Sequence, residues 1–344
     1  MEIVAFSLAL GYVVDAALSR ACVRERGGVD RTIATRKTAA PSREGFGSER
    51  SGGTFLIEGS RVAAPPLAPG LYVVATPIGN LADVTLRALA ILTGADGILA
   101  EDTRVSRTLL TRYGIETPLS PYHEHNAAEA RPRALRRMVE GEALALISDA
   151  GTPLISDPGY KLVAEALSMG LTVVTAPGAS AALAALCVAG LPTDRFFFEG
   201  FLPPKQAARR KRINALSAVP GTLVFYEAPG RVPETLADLA VELGPRQAAV
   251  ARELTKLHEE VRRGALDALA AHYEVEGAPR GEIVIVVGPP QARTEISGHD
   301  LDREILDALQ TLSVKDAVAA IAAKHGLPRR QVYARALAMA GGAR

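Results

Sequence analysis

From residue 71 onward, short apolar runs alternate with stretches whose apolar residues recur every three or four positions. The runs at 71–76, 97–101, 118–122, 143–148 and 171–175 are bounded by Gly, Pro, Asp or Ser and are predicted to be strands. Between them the spacing predicts helices at about 83–92, 103–113, 126–140, 158–169 and 179–188. Such alternation implies βαβ units and a parallel sheet. A second group follows "GLPTDR" (190–195), with strands expected near 196–200, 222–226, 247–251 and 282–287 and helices at 206–217, 231–243 and 264–272. "GEIVIVVGPP" reads as a buried central strand followed by a stop, and beyond Pro290 the pattern is purely helical. The fold class is therefore α/β: two α/β lobes, 70–189 and 190–291, with a helical extension at 292–344.

Composition changes this picture little. The chain has 344 residues, 48% hydrophobic and 22% charged, with a formal net charge of +1. That length suits about two domains plus extensions, and the apolar content is ample for packed cores. A neutral balance identifies no nucleic-acid partner by itself, so such a partner must meet a local basic patch. Cys22 and Cys187 are too few for a disulfide framework or a metal cluster, and Cys187, inside "AALAALCVAGL", reads as a small core residue. A reducing cytoplasm fits that usage.

The first 20 residues are apolar but interrupted by Gly11 and Asp15, too short a run for a membrane span. Glu2 stands where a signal peptide carries positive charge. Residues 21–69 are rich in Arg, Gly, Ser, Thr and Pro without periodicity. Residues 1–69 are thus expected to form a mostly disordered leader, one reading being translation from a start upstream of the natural one.

In parallel α/β sheets, ligands bind at the carboxyl ends of strands. Five loops at that edge carry unusual residues: "ATPIGN" (75–80), "AEDTR" (100–104), "SPYHEHN" (120–126), "SDAGTPLISDPG" (148–159) and "TAPGASA" (175–181). The second lobe adds "FYEAPGR" (225–231) and "ARELTKLHEE" (251–260). Singly, each has a plain reading as a turn or a helix cap; Asp157 before Pro158, for example, suits a cap followed by the first helical residue. Five together are harder to explain as caps. The chain has no G-x-G-x-x-G after its first strand and no P-loop, so the loops do not announce a polyphosphate. Rigid backbone groups with carboxylates nearby suit a cationic or zwitterionic ligand with a nucleoside head, and S-adenosylmethionine has that character.

These stretches also carry a resemblance. "LYVVATPIGNLADVTLRAL", "AEDTRVSRTLL", "YHEHN", "LISDAGTPLISDPG", "APGASAALAALCVAGLPTDRFFFEGFLPP", "FYEAPGRV", "ARELTKLHEE" and "GEIVIVVG" occur in that order. Over about 71–290 they resemble the tetrapyrrole-methylase-fold (class III) methyltransferases, and most closely the ribosomal small-subunit RNA methyltransferase I family. That family methylates the ribose 2′-oxygen of a cytidine in 16S rRNA. The resemblance implies a tetrapyrrole-methylase-like fold with S-adenosylmethionine in a cleft between the lobes, a cytoplasmic homodimer and no membrane. It places Thr76, Pro77, Gly79, Asn80, Asp149, Ala150, Gly151, Thr152, Pro153, Pro177, Gly178, Ala179, Ser180 and Glu227 at the cofactor. "TPIGN" stands where related tetrapyrrole enzymes carry a glycine-rich loop, which favours the RNA branch.

Methyl transfer to a hydroxyl needs in-line placement and help for the departing proton. Asp102, Asp149 and Lys256 are the expected near-reaction residues. Competing readings are capping of the next helix by Asp102 or Thr103 and a structural ion-pair ladder of Glu253, Lys256 and Glu259 on a helix. His123 and His125, two apart on a loop, lack a third ligand, and no metal is expected. RNA phosphates are expected to meet Lys205, Arg209, Arg210, Lys211 and Arg212, with Arg104 and Arg107 joining them. At 313–337 an apolar-periodic helix, a turn at Gly326 and a basic second helix with Arg329, Arg330 and Arg335 form a helix-turn-helix-like hairpin suited to gripping RNA. Two further readings stay open: C-methylation of a precorrin-type tetrapyrrole, and a nucleic-acid-binding regulator that senses S-adenosylmethionine.

Overall fold

The computed structural model describes residues 53–290, 298–325 and 327–341. It opens with a hairpin, β1 (Thr54–Ile57) and β2 (Ser60–Ala63), paired antiparallel around Glu58-Gly59. Both turn residues have positive φ, 49° and 81°, the handedness that tight hairpins favour. Phe55 and Ala64 are buried on the first core. The disordered leader expected through residue 69 is corrected here. Two four-residue strands are too short to show a period against Gly- and Pro-rich neighbours, and one buried phenylalanine anchors them. Residues 1–52, with the apolar run and Cys22, lie outside the described residues.

The first lobe follows the expected alternation. Its elements are β3 (Gly70–Val74), α1 (Leu86–Gly94), β4 (Gly97–Ala100), α2 (Thr103–Arg112), β5 (Leu119–Pro121), α3 (Ala127–Val139), β6 (Ala143–Ile147), α4 (Tyr160–Ser168) and β7 (Val173–Ala176). All five strands are parallel in the order β5-β4-β6-β3-β7. Every residue of β3, β4 and β6 is buried, as helices on both faces require, so these strands read as continuous apolar runs.

Helix α5 (Ala181–Ala189) leaves β7 but packs on the second sheet, where Ala182, Ala185 and Leu186 meet Val224, Ala249 and Val286. The packing boundary therefore falls before α5, not at the expected residue 189. Gly190 ends the helix at φ 72°, a left-handed turn that glycine makes without strain. Cys187 is exposed rather than in the core. Because α5 is apolar on every side, its sequence alone does not select the buried face.

The second lobe comprises β8 (Phe196–Phe201), α6 (Gln206–Leu216), β9 (Thr222–Glu227), α7 (Val232–Leu243), β10 (Gln247–Arg252), β11 (Glu260–Ala265), α8 (Leu266–Glu276) and β12 (Ile283–Val287). The order is β11-β10-β12-β9-β8, with only β8 and β9 parallel and the other pairs antiparallel. α6, α7 and α8 cover one face and α5 the other. The helix considered at 253–260 is a turn instead, with Glu253 and Thr255 at φ 49° and 67°. It feeds β11, an unpredicted edge strand whose "EVRRGA" has no apolar run because one side faces water.

Beyond it, α9 (Gly298–Leu309), α10 (Val314–His325) and α11 (Arg329–Gly341) share a small core of Leu301, Ile305, Val318, Ile321, Val332 and Ala336. The hairpin thus gains a third helix. Ser313 caps α10 by accepting the Asp316 amide at 3.2 Å, while its hydroxyl donates to the Asp316 carboxylate. The turn residue Gly326 lies outside the described residues. Among the described residues no helix is long and apolar enough to cross a membrane.

Candidate active site

The chain leaves β4 toward the β5 edge and β6 toward the opposite β7 edge, although β4 and β6 are neighbours. A crevice opens where neighbouring strands diverge in this way, at their carboxyl ends. Here the loops are joined to one another. Thr76, after β3, exchanges two backbone hydrogen bonds with Gly151 at 2.8 and 3.0 Å. Its hydroxyl donates to the Ser148 carbonyl at 3.1 Å. The Thr152 hydroxyl donates to the Ala179 carbonyl at 3.1 Å, and the Asp102 amide donates to the Asp149 carboxylate at 2.8 Å. Loops 76–80, 100–104, 148–153 and 177–181 therefore form one floor.

The second lobe closes over it. A cavity of about 390 Å³ is walled on one side by Ile78, Ala150, Gly151, Thr152, Asp157 and Ser180. Phe201, Tyr226, Glu227, Ala228, Glu282 and Ile283 form the opposite wall. That volume lies within the range of small-ligand pockets, about 300–1,000 Å³. A second space of about 330 Å³ adjoins it and shares Ile78, Ala150 and Glu282. Thr76, Pro77, Gly79, Ser106, Thr108, Asp149 and Lys256 line this second space. The Ser106 hydroxyl is buried there without a hydrogen-bond partner. The lobes also touch directly: the Asn80 amide donates to the Thr255 hydroxyl at 3.1 Å, and a Cβ on Gly79 would stand 2.4 Å from Lys256 Cγ. Only glycine allows that approach.

Several expected cofactor residues support the walls without lining them. Pro153, Pro177, Gly178 and Ala179 border neither space, Pro153 being buried and Pro177 and Gly178 exposed, and Asn80 caps the short helix Leu81–Asp83. Glu227 borders the larger cavity, but its buried carboxylate accepts from the Ala228 amide (2.8 Å), the Arg231 guanidinium (3.2 Å) and the Thr235 hydroxyl (2.7 Å). It anchors the β9 end and has little left to offer a ligand.

The three expected near-reaction residues differ in state. Asp102 is the cap of α2, accepting the Arg104 amide at 2.8 Å and pairing with its guanidinium. Arg104 holds its carboxyl down at about 2, so it is a feeble base, and it borders neither space. The near-reaction expectation for Asp102 is corrected to a capping role. Asp149 differs: burial raises it, the nearby Asp102 charge adds to the rise, and the Asp102 amide opposes it. Lys256 is paired with Glu253 at 2.9 Å and Glu282 at 3.2 Å. Burial works against its charge, but the two carboxylates outweigh that and raise it, so it stays an ammonium. Glu101 and Asp157 are also pushed up, first by burial and then by neighbouring carboxylates. At the carboxyl edge of the first sheet, Asp149 and Asp157 thus oppose the ionisation of Glu101.

The basic positions divide as well. Arg209 is 1% exposed, its guanidinium held by Asp238 at 2.7 Å and Glu234 at 3.4 Å. It is a core residue, which overturns its assignment to RNA. Arg210 pairs with Glu242 and Arg212 with Glu199, so both are partly neutralised. Lys205, Lys211, Arg107, Arg329 and Arg330 are exposed. Arg104 is exposed too but shares its charge with Asp102. Arg335 is tied to Asp302. Among the described residues no cluster of His, Cys, Asp or Glu suits a metal. Sequence reasoning missed Phe201, Tyr226, Glu282 and Ser106 as lining residues, and it read Asp157 only as a cap. Tyr226 lay within a flagged strand-end loop, whereas nothing local marked Glu282, which reaches the cleft because β12 pairs between β9 and β10.

Comparisons with known proteins identify the chain's relatives. Residues 70–270 match the family described as Tetrapyrrole (Corrin/Porphyrin) Methylases, and residues 295–340 match the RsmI C-terminal HTH domain. The chain is 50% identical over 283 residues to the ribosomal RNA small subunit methyltransferase I of Mesorhizobium japonicum, covering 82% of this chain and 96% of that one. The Pseudomonas aeruginosa protein of the same name is 47% identical over 277 residues, covering 79% and 98%. The Escherichia coli O157:H7 protein of that name is 43% identical over 273 residues, covering 79% and 96%. Among solved structures, diphthine synthase superposes with a TM-score of 0.50 at 15% identity, covering 63% of this chain and 89% of that one, a likeness of fold.

Proposed function

The chain belongs to the tetrapyrrole methylase family and, within it, to the ribosomal RNA small subunit methyltransferase I family; from that premise we propose that it methylates the ribose 2′-oxygen of a cytidine in the 16S rRNA of the small ribosomal subunit, with S-adenosylmethionine as donor. The observation that carries this reading is the union of four first-lobe loops into one floor, facing the second lobe across a cavity that opens into a polar side space.

The larger cavity suits the donor. Ile78, Ile155, Phe201, Ile283 and Val284 offer apolar walls to an adenine ring and a thioether chain, while Thr152, Ser180 and Tyr226 offer polar edges. When bound, S-adenosylmethionine supplies an electrophilic methyl on a cationic sulfur. Thr76, Pro77, Gly79, Ala150, Gly151, Thr152 and Ser180 hold the two spaces at a fixed separation, so that an acceptor oxygen in the smaller one is aligned with the larger. Asp149, raised by burial and lining the smaller space, takes the hydroxyl proton. The Lys256 ammonium, in the same space, stabilises negative charge growing on the ribose oxygen. Asp102 orients Asp149 through its backbone amide.

RNA reaches the smaller space along α2, which lines it through Val105, Ser106 and Thr108 and turns Arg104 and Arg107 outward. Lys205 and Lys211 on the second lobe and Arg329 and Arg330 at the start of α11 extend the contact to more distant phosphates. The protein works in the cytoplasm as a homodimer. Supporting the dimer, β8 forms the open edge of the second sheet with Phe196 and Phe197 exposed, an apolar margin that a second copy would cover; light scattering reads the mass.

The test is incubation of purified protein with methyl-labelled S-adenosylmethionine and undermethylated small subunits, naked 16S rRNA or a precorrin in parallel. Label recovered in an alkali-resistant dinucleotide from the subunits is the expected result. Label in the macrocycle, or bound cofactor with no transfer to RNA, refutes it.

A further inference from the structure

Three carboxylates border the larger cavity: Asp157, Glu227 and Glu282. Two of them are already committed. Glu227 is consumed by Arg231, Thr235 and the Ala228 amide, and Glu282, 68% exposed, pairs with Lys256. Asp157 is partly buried, pairs with no cation among the described residues, and has the Ser148 hydroxyl as its polar neighbour. The ionisable groups that sense it, Glu101, Asp149 and Tyr226, supply no positive charge.

The backbone holds it there. Leu154 and Ser156 have φ of 74° and 66°, so two side-chain-bearing residues within three positions are left-handed. Such strain persists where the surroundings over-determine a segment, often at ligand clamps. A relaxed loop could turn the carboxylate to water, but this one sets it against the cavity wall. It stands on the side toward the smaller space, because its hydroxyl neighbour Ser148 lines that space. A methyl group must leave the larger cavity on that side to reach an acceptor.

Resting on the cofactor reading above, we infer that Asp157 selects charge: its carboxylate faces the sulfonium, so the cleft holds the cationic methyl donor more tightly than the neutral, demethylated product. The transfer itself removes the attraction, since the methyl leaves with the positive charge of sulfur and the sulfur keeps the bonding pair. Asp157 is then a specificity-determining residue that favours exchange of spent product for fresh donor.

The experiment is titration calorimetry of the full chain and its isosteric variant Asp157→Asn with S-adenosylmethionine and, separately, S-adenosylhomocysteine. The expected result is donor binding weakened about 10-fold or more, as for loss of a charge-assisted contact, with product binding changed less than about 2-fold. Unchanged product binding also shows that the variant is folded. Equal weakening of both ligands, or no change in donor binding, overturns the inference while leaving the cofactor reading intact. A wild-type chain that binds neither ligand overturns both.

Discussion

Replacing Asp238 by alanine tests where Arg209 belongs. The pair is buried, with Arg209 1% and Asp238 4% exposed, and joined by a 2.7 Å bond from Nε to Oδ2. Gln206 donates to the other carboxylate oxygen at 3.2 Å. In Asp238→Ala the guanidinium keeps only the Pro204 carbonyl at 3.3 Å and Glu234 at 3.4 Å, and Glu234 is 70% exposed. Breaking a buried ion pair from one side costs about 3–5 kcal/mol because a charge is left uncompensated. An exposed partner returns only about 0–1 kcal/mol. The expected net loss is about 3 kcal/mol, or a fall in Tm of about 6–12 °C at about 2–4 °C per kcal/mol for a domain of this size. Denaturant melts read the first quantity and calorimetry the second. The double variant Asp238→Ala/Arg209→Met removes the stranded charge while keeping an apolar stem, and should recover most of the loss. A cost below about 1 kcal/mol, together with a shallower salt dependence of RNA binding in Arg209→Met, would refute the core assignment and return Arg209 to the RNA face.

Three further outcomes follow from the site. Asp149 has a raised pKa, so its ionised form is disfavoured by folding: acidification through that pKa relieves the fold while removing the base, and methyl transfer should fall on the acid side with a pKa above the ordinary aspartate value of about 3.9. Asp149→Asn should abolish that acid limb, and kcat/KM against pH reads it. Lys256→Met should lower kcat by about 10²–10³-fold with little change in donor affinity, as loss of a charge that acts on the developing alkoxide does; equal loss in binding and rate would make it a binding residue. Arg329→Ala/Arg330→Ala should weaken binding to small subunits and reduce the salt slope by about 1–2, without altering donor affinity, in filter binding at graded salt.

The first lobe was legible because its information is local. β3, β4 and β6 are buried on both faces, so each shows as an unbroken apolar run, and each ends in a loop whose Gly, Pro and Asp mark the edge. β11 escaped because an edge strand with one wet side needs no such run, and "EVRRGA" carries none. α5 was visible as a helix, but its apolarity on every side left both its partner sheet and the exposure of Cys187 open. The hairpin at 54–63 was hidden by composition, since one buried phenylalanine in ten residues leaves no periodicity.

The candidate site divides along the same line. Residue type and spacing along the chain already determined which loops lie at the carboxyl edge, because strand period and turn chemistry are short-range properties. Which side chains remain available there was decided by contacts between residues far apart in sequence. The guanidinium of Arg209 is taken up by Asp238, the carboxylate of Glu227 by Thr235, and the ammonium of Lys256 by Glu282. Asp102 and Asp149, two acids of one chemical type, end at opposite extremes because Arg104 reaches the first while burial acts on the second. A chain specifies its charges one residue at a time, but the field each one experiences depends on distance and burial, which exist only after the lobes have packed.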